Sequence, residues 1–490
     1  MKKNTLTTAV VAGIAGVAGF AGLANAVDLN PDGLGQVLIY PYYTVNNGQD
    51  SLFSVVNTTD QGKAVKVRFL EGYNSREVLD FNLFLSPHDV WTAAVTATGA
   101  DDASGAKLIT SDHSCTYPAI PAGGQPFSSA AYTGGSIAPF NVKDAGPQTI
   151  ARTREGYLEL ISMGDIVPTS ALFDTTLHAQ TGTPNEGTPE CDKPTLLAAA
   201  GALVPPTSGL FGSGSIVNVN EGTFHGYNAD AVDGFTSTTL FFGSSALEPS
   251  LQNANSAESA LAARAYVFVN GALVTADYAL GVDAVSAVFM TDHLYNEFLV
   301  SEGLGANTDW VVTFPTKRFY VDQLAYPTAP RAPFVEKFAA PGESNVAVGI
   351  GLYDQEEYFT TSEEGFSPPV GSRPSSLPYE VNVISFLNDT AAGDPSGVFG
   401  SHLRPNITPL GEAGWLDLGL NDAIEPHALG TGVAVAPATG AVVFNGLPAT
   451  GFMSYNIINA NAQPGKLANY GSLFRHRANR SCTVGGVACS

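Results

Sequence analysis

The sequence predicts a mainly β fold, with two or more antiparallel β-sandwich domains of immunoglobulin-like type, long insertions and one or two short helices. Short segments alternate apolar and polar residues, as half-buried strands do. The 52 glycines and 31 prolines suit many turns, and helical periodicity is scarce. With 44% hydrophobic and 14% charged residues, the chain can bury a large core.

Shifts in composition divide the chain. We expect a signal peptide at 1–26, an N-terminal sandwich at 27–242, and a β-rich C-terminal domain with a basic, disulfide-braced tail at 249–490. Gly, Ala, Ser and Pro dominate 97–148 and 181–215, which we interpret as long surface insertions of the first domain.

The clearest strands lie early in the chain. Apolar residues alternate with Lys66 and Arg68 over 65–69, and a second alternating run covers 79–85 beyond turn residues at 72–75. This pattern predicts an antiparallel hairpin with one face buried and the polar face outside.

Two segments have helical spacing, the clearer at 284–299 and a second at 254–265. In the first, His293 and Glu297 lie four residues apart, so a helix places them on one face. Such a pair could hold a metal or relay a proton, although helix surfaces often carry such pairs without a function.

The first residues are typical of a secretion signal. Lys2 and Lys3 precede an apolar stretch over 6–23, and Ala24-Asn25-Ala26 forms an A-x-A cleavage site. A transmembrane anchor is the alternative, but the stretch is rich in glycine and alanine. We therefore expect an exported mature chain that begins at Val27 without an anchor, located at the cell surface or outside the cell, with the periplasm as an alternative.

The charge is strongly acidic, with 45 Asp and Glu against 22 Lys and Arg and a net charge of −23. Nucleic acid is therefore not an expected partner. The acidity favours solubility or cation binding, and it opposes contact with an anionic lipid surface.

Four cysteines occur as two separated sets, one within the insertions and one near the C-terminus. In an oxidising compartment they predict disulfides between Cys115 and Cys191 and between Cys482 and Cys489. A zinc site that includes Cys115 and His113 is the alternative, but only these two ligands are close in sequence.

A calcium site is one interpretation of the N-terminal turn. Asp28, Asn30 and Asp32 match the first half of a calcium-loop pattern, but the twelfth position is Ile39 rather than Glu. Calcium is thus the one cofactor the sequence suggests, against a plain polar turn.

Acidic and basic clusters occur in the C-terminal half. The acidic cluster could bind calcium or supply carboxylates for glycoside hydrolysis, against a solvated loop, and comprises Asp354, Glu356, Glu357, Glu363 and Glu364. The basic tail could contact a second subunit or an anionic envelope component, or clamp the protein's own acidic surface, and comprises Lys466, Arg475, His476, Arg477 and Arg480.

Sequence motifs for several large enzyme classes are missing: there is no G-x-S-x-G elbow, P-loop, dinucleotide fingerprint or H-E-x-x-H. Ser213 lies in a Gly/Ser-rich stretch that is not typical of a nucleophile. The sequence therefore favours a protein without catalytic activity.

Three segments carry a resemblance to other proteins: Asn30–Thr44, Val56–Trp91 and Thr308–Arg318. In these segments the chain resembles a group of uncharacterised exported or cell-surface proteins of Gram-negative bacteria, and the resemblance implies location rather than activity. Our first hypothesis is a non-enzymatic, surface-layer-like or coat protein that associates with itself. The alternative is a secreted binding module or adhesin for carbohydrate or protein, and a carboxylate-based hydrolase is the third.

Overall fold

A computed structural model describes residues 26–178, 187–357, 359–361, 376–387, 394–421, 425–459 and 463–489. It confirms the mainly β fold, which consists of several antiparallel sheets. Five short α-helices occur in this part of the chain: α1 (Ala130–Thr133), α2 (Ala171–Thr176), α3 (Lys193–Leu197), α4 (Gly281–Phe289) and α5 (Arg318–Val321).

The N-terminal half contains two packed sheets. An eight-stranded sheet has the order β1-β14-β2-β10-β4-β5-β8, with β11 on β10, and a six-stranded sheet has the order β13-β12-β3-β6-β7-β9. The strands are β1 (Asp28–Leu29), β2 (Val37–Thr44), β3 (Asp50–Asn57), β4 (Gly62–Glu71), β5 (Glu77–Leu85), β6 (Val90–Ala97), β7 (Ala106–Ile109), β8 (Cys115–Tyr117), β9 (Gln125–Pro126), β10 (Glu155–Ile166), β11 (Leu203–Val204), β12 (Leu210–Asn218), β13 (Thr223–Asn228) and β14 (Asp230–Asp233).

The C-terminal half contains four sheets, with orders β15-β16-β25-β26-β31-β32, β17-β27, β21-β20-β24-β18-β30 and β23-β22-β19-β28-β29. The strands are β15 (Ala263–Val269), β16 (Ala272–Tyr278), β17 (Met290–Thr291), β18 (His293–Leu299), β19 (Ala306–Thr313), β20 (Gly349–Asp354), β21 (Phe359–Thr361), β22 (Val381–Phe386), β23 (Asn406–Ile407), β24 (Ala413–Gly419), β25 (Ala428–Ala434), β26 (Ala441–Asn445), β27 (Leu447–Pro448), β28 (Thr450–Ile457), β29 (Tyr470–Arg475), β30 (Arg477–Asn479), β31 (Cys482–Val484) and β32 (Val487–Ala488).

Aromatic side chains join the two N-terminal sheets. Phe53 of β3 lies 5.5 Å from Tyr40 of β2 and 5.9 Å from Phe69 of β4, measured between ring centroids. Trp91 of β6 contacts Phe81 of β5 at 5.7 Å. These edge-to-face and tilted contacts fill the sandwich interior, since alternate residues of each strand point inward.

One apolar core runs through both halves of the chain. Tyr227 stacks on Phe452 at 5.1 Å, and Thr313 Oγ1 donates to the Pro41 carbonyl at 2.6 Å. The two halves of the chain on either side of the predicted boundary at 242–249 therefore pack against each other.

The polar face of the predicted hairpin is buried rather than exposed. The segment that leads into the C-terminal half covers it, because Lys66 Nζ donates to the Ser244 carbonyl at 2.9 Å and Arg68 donates to the Pro249 carbonyl. Lys66 also forms an ion pair with Asp80. Alternation therefore predicted the strands correctly, but the outside position of their charges was wrong.

The predicted helix at 284–299 is correct only in its first part. Helix α4 ends at Phe289, and His293–Leu299 is strand β18. Leu294 and Phe298 are both buried, and a spacing of four places residues on one face of a strand as well as of a helix.

The predicted helix at 254–265 is also wrong. Strand β15 begins at Ala263, and its buried residues alternate with period two. The predicted insertion at 181–215 contains strand as well, because β12 begins at Leu210. Glycine is needed there: a Cβ at Gly212 would lie 1.8 Å from the Tyr40 hydroxyl oxygen.

Candidate functional site: an uncharged sheet face

The outer face of the six-stranded sheet has no charged side chain at its centre. Outward positions of its strands are apolar, small or hydroxyl-bearing, because every second residue is buried in the sandwich. We call the following set the uncharged face: Leu52, Ser54, Val56, Val90, Thr92, Ala94, Ile109, Phe211, Ser213, Ser215, Phe224, Gly226 and Asn228. Three charged residues border these rows: Asp50 at the start of β3, Lys107 beside Ile109 on β7, and Asp112, whose carboxylate accepts from the Thr92 amide.

Strand register aligns these residues in rows. Ser213 lies opposite Ser54, which lies opposite Thr92. In the next row, Leu52 lies between Ser215 and Ala94. Large apolar side chains therefore stand among small ones on one broad surface.

An open groove of about 720 Å³ crosses the uncharged face. Ser54, Thr92 and Ser213 contribute hydroxyl groups to its lining, and Leu52 and Ile109 contribute apolar surface. Lys107 of β7 adds one charged side chain to the lining. Five large side chains of the face are between 37% and 58% exposed: Leu52, Val90, Ile109, Phe211 and Phe224. Contiguous exposed apolar surface of this kind marks interaction sites on proteins.

Sequence reasoning missed this face. The signal was available as a run of uncharged residues at the outward positions of β3, β6, β12 and β13, but it required the burial side of each strand to be known. Ser213, which the sequence did not favour as a nucleophile, lies on β12, with its hydroxyl 3.4 Å from Asn228 Oδ1.

A second surface, on the sheet that contains β18, carries aromatic residues that are exposed or partly exposed. We call His293, Tyr295, Trp415 and Tyr353 the aromatic row. Trp415 stacks on Tyr353 at 4.1 Å with rings inclined by 2°, and lies 6.3 Å from Tyr295. His293 stacks on Tyr295 at 5.8 Å.

Polar groups accompany the aromatic row. His293 Nδ1 lies 2.6 Å from Asp417 Oδ1. The predicted helical pair of His293 and Glu297 is therefore wrong in its geometry, because both residues lie on the outward side of strand β18, and His293 is paired instead with Asp417 of β24. Glu297 lies directly opposite Trp415.

The suggested calcium ligands lie in a hydrogen-bonded turn. Asn30 Oδ1 accepts from the Asp32 amide at 2.9 Å, and Asn30 Nδ2 donates to the Leu34 carbonyl at 2.7 Å. Asp28 faces Asp233 across the β1–β14 pair. Burial and the negative charge of Asp233 raise the pKa of Asp28 to about 7. Calcium at this turn stays a prediction.

The acidic cluster is only partly described. Asp354 ends β20 and its Oδ1 accepts from the Glu356 amide at 2.9 Å, while Glu356 and Glu357 are exposed. Glu363 and Glu364 lie outside the described residues. In the described part of the chain, no three His, Cys, Asp or Glu side chains converge to hold a metal ion.

Both predicted disulfides are confirmed. Cys115 of β8 is bonded to Cys191, and Cys482 of β31 is bonded to Cys489. The first links the two long insertions across 76 residues, and the second closes the C-terminal loop. Such bonds are typical of an oxidising environment outside the cytoplasm.

Two cations of the basic tail contact other parts of the protein. Arg475 forms an ion pair with Asp230, and the Arg480 guanidinium donates to the carbonyls of Val288 and Met290. Lys466 and Arg477 are exposed. Arg475 thus contacts a carboxylate of the protein itself, while Arg480 binds backbone carbonyls, and the interaction of the tail with a partner stays a prediction.

Buried charges hold the turn between β4 and β5. The Glu71 carboxylate accepts from the amides of Tyr73, Asn74 and Arg76, at 2.8 to 3.1 Å. Arg152 donates two hydrogen bonds to the same carboxylate, from Nε at 2.6 Å and from Nη2 at 2.9 Å. This bidentate pair fixes the turn. No local sequence pattern predicts the pair, because Glu71 and Arg152 are far apart in the chain.

Comparison with known proteins gives no relative: no family model matches the chain, and no curated protein or solved structure is similar to it at a significant level. None of the helices in the described ranges is long and apolar enough to cross a membrane. The candidate function therefore rests on the surfaces themselves.

Proposed function

We propose that this chain is a non-enzymatic, exported protein of the bacterial cell envelope whose copies associate through the uncharged face. One observation carries the proposal: a chain with a net charge of −23 has a broad sheet face without charge at its centre. The two disulfides and the A-x-A site support export.

Charge decides which surfaces of two identical chains can meet. Two strongly acidic copies repel each other over most approaches. At the uncharged face this repulsion is weakest, and apolar side chains gain from leaving water there. The alternation of large and small residues lets two such faces interdigitate, as facing sheets of a sandwich do.

The size of the face sets the expected strength. Five strands about 4.8 Å apart, with about seven residues of ~3.4 Å each, cover roughly 600 Å². A standard stable interface buries about 800 Å² per partner. We therefore expect weak association in dilute solution and stronger association at the high local concentration of an envelope layer.

Sedimentation velocity over a range of protein concentrations tests this proposal. The test variant carries Ser54→Lys and Ser215→Lys in the middle of the face. The control carries Ala257→Lys and Ala260→Lys in the exposed turn before β15 and has the same net charge. We expect wild type and control to associate with rising concentration and the test variant to stay monomeric.

Equal association of the test variant and the control would contradict the proposal, as would a wild-type protein that is monomeric at every concentration. Thermal unfolding midpoints of the two variants show whether the fold is intact. The four substitutions replace partly or fully exposed side chains, so both midpoints should stay close to the wild-type value.

A second candidate function, glycan binding by an adhesin, is favoured by the aromatic row. Trp415 is 38% exposed, and Asp417, Glu297 and Arg477 project on the same side of the sheet. Aromatic rings bordered by hydrogen-bonding groups suit the apolar faces and hydroxyls of sugar rings. Co-sedimentation with peptidoglycan sacculi should decrease for Trp415→Ala but not for Phe268→Ala. Equal retention of both variants would remove this candidate.

A further inference from the structure

A small polar cavity lies where the turn between β4 and β5 meets the chain that joins the two halves. Its volume is about 120 Å³. Its wall includes the guanidinium-bearing residues Arg68, Arg76 and Arg318 and the carboxylate-bearing residues Glu77, Glu248 and Asp322. Pro139, Phe140 and Leu247 add an apolar side. The cavity is distinct from both surfaces proposed above.

Two side chains in this wall carry buried polar atoms that have no hydrogen-bond partner among the described residues. Asn74 is 1% exposed, and neither its Oδ1 nor its Nδ2 has a hydrogen-bond partner among the described residues. Glu248 Oε2 also has no partner within that part of the chain, although Glu248 Oε1 accepts from Gln252 Nε2. A buried amide without partners destabilises the fold, so these groups point to an occupant that hydrogen-bonds.

The backbone holds Asn74 in place. The backbone N–H of Asn74 donates to Glu71 Oε1 at 3.1 Å, within the turn that the Arg152–Glu71 pair fixes. The neighbouring Ser75 is fixed as well, since its hydroxyl donates to Glu380 Oε2 at 3.0 Å. The unpaired amide is therefore presented by a preorganised turn rather than by a free loop.

The charges in the wall are balanced, which decides the class of ligand. Each guanidinium already has a carboxylate partner: Arg68 pairs with Glu77 at 2.7 Å, Arg76 with Asp322 at 2.8 Å and Arg318 with Glu159 at 3.3 Å. A simple anion would face the carboxylates, and a simple cation would face the guanidinium groups. A molecule that carries both charges can satisfy both sets at once.

We propose that this cavity binds a small zwitterion of the size of glycine or alanine. Its carboxylate would accept from the Asn74 amide and a neighbouring guanidinium, and its ammonium would donate to Glu248 and the Ser250 hydroxyl. The volume has room for about four waters, which matches the few non-hydrogen atoms of such a molecule. Pro139, Phe140 and Leu247 leave space only for a small side chain.

Isothermal titration calorimetry of the full chain with glycine tests the proposal. Acetate and methylammonium serve as half-ligands, and each should bind at least tenfold more weakly than glycine. Asn74→Ala should weaken glycine binding at least tenfold. Ala325→Leu, which fills the cavity without removing a hydrogen bond, should abolish it.

The matched control is Asn456→Ala, because Asn456 is also buried and also has an unpartnered Oδ1, but it does not line the cavity. It should bind glycine as the wild type does. No heat with glycine in the wild type would overturn the proposal and leave water as the occupant. Unchanged binding by both Asn74→Ala and Ala325→Leu would overturn it as well.

Discussion

Replacing Arg152 by methionine tests whether buried ion pairs hold the turn between β4 and β5. The guanidinium side chain is fully buried and contacts two carboxylates, Glu71 and Asp144. It also lies over the Tyr132 ring, 4.4 Å from the centroid. Arg152→Met keeps most of the packing volume but leaves both carboxylates without this cation.

The expected cost follows from what each carboxylate retains. Breaking a buried pair costs about 3–5 kcal/mol. Glu71 still accepts from three backbone amides, and Asp144 keeps Arg76 at 3.4 Å and the Gly146 amide at 3.0 Å. We therefore expect a loss of about 3 kcal/mol in the free energy of unfolding, at the lower end of that range.

The loss should depend on pH. Burial alone would raise the pKa of Asp144, but the hydrogen bonds and charge of Arg152 hold it below the usual value of 3.8. A depressed carboxyl pKa stabilises the fold above the unfolded pKa and loses this effect as the pH falls through the folded value. The difference between variant and wild type should thus be larger at neutral pH than below pH 3.8.

Urea denaturation at neutral pH and below pH 3.8 measures the difference in unfolding free energy between Arg152→Met and the wild type. Arg477→Met is the control. Arg477 is exposed and donates only to the Arg475 carbonyl among its described contacts, so its replacement should change stability by less than about 0.5 kcal/mol. A loss below about 1 kcal/mol for Arg152→Met, or one independent of pH, would refute the reasoning.

Two further predictions concern single titrating groups. Burial and the charge of Arg475 lower the pKa of His476 to about 4, so the fold loses stability as the pH falls from about 6.5 to 4. In urea titrations over this range, His476→Gln should reduce the pH dependence of the unfolding free energy by about 1.4 kcal/mol per pH unit. An unchanged slope would contradict this prediction. Burial and Asp233 raise the pKa of Asp28 to about 7, so ionisation destabilises the fold as the pH rises through that value. In a chelator-treated sample at pH 8, Asp28→Asn should therefore have a higher melting temperature than the wild type. If the turn binds calcium, added calcium should raise the melting temperature of the wild type but not that of the variant. A variant that melts below the wild type in chelator would exclude this account.

Local patterns were sufficient for the strands and the disulfides. Alternation over 65–69 and 79–85 marks β4 and β5 because side-chain direction in a strand has period two. The four cysteines lie in two separated sets, and this spacing predicted the pairing of Cys115 with Cys191.

Features set by tertiary contacts were not predictable in this way. The sequence pattern predicts that Lys66 and Arg68 face solvent, but the segment that contains Ser244 and Pro249, about 180 residues away, covers them. The spacing of Leu294 and Phe298 fits helix and strand equally, so pairing with β24 decides the outcome. The uncharged face depends on which side of β3 and β12 is buried, which alternation alone leaves open.

Cysteine cross-linking tests most directly whether copies meet through the uncharged face. Thr92→Cys places a thiol on the face, and Ala257→Cys places one on the exposed turn before β15. With a short bis-maleimide added to the concentrated protein, we predict covalent dimers for Thr92→Cys and monomers for Ala257→Cys. Equal yields from the two variants, or dimers from Ala257→Cys alone, would contradict self-association through this face.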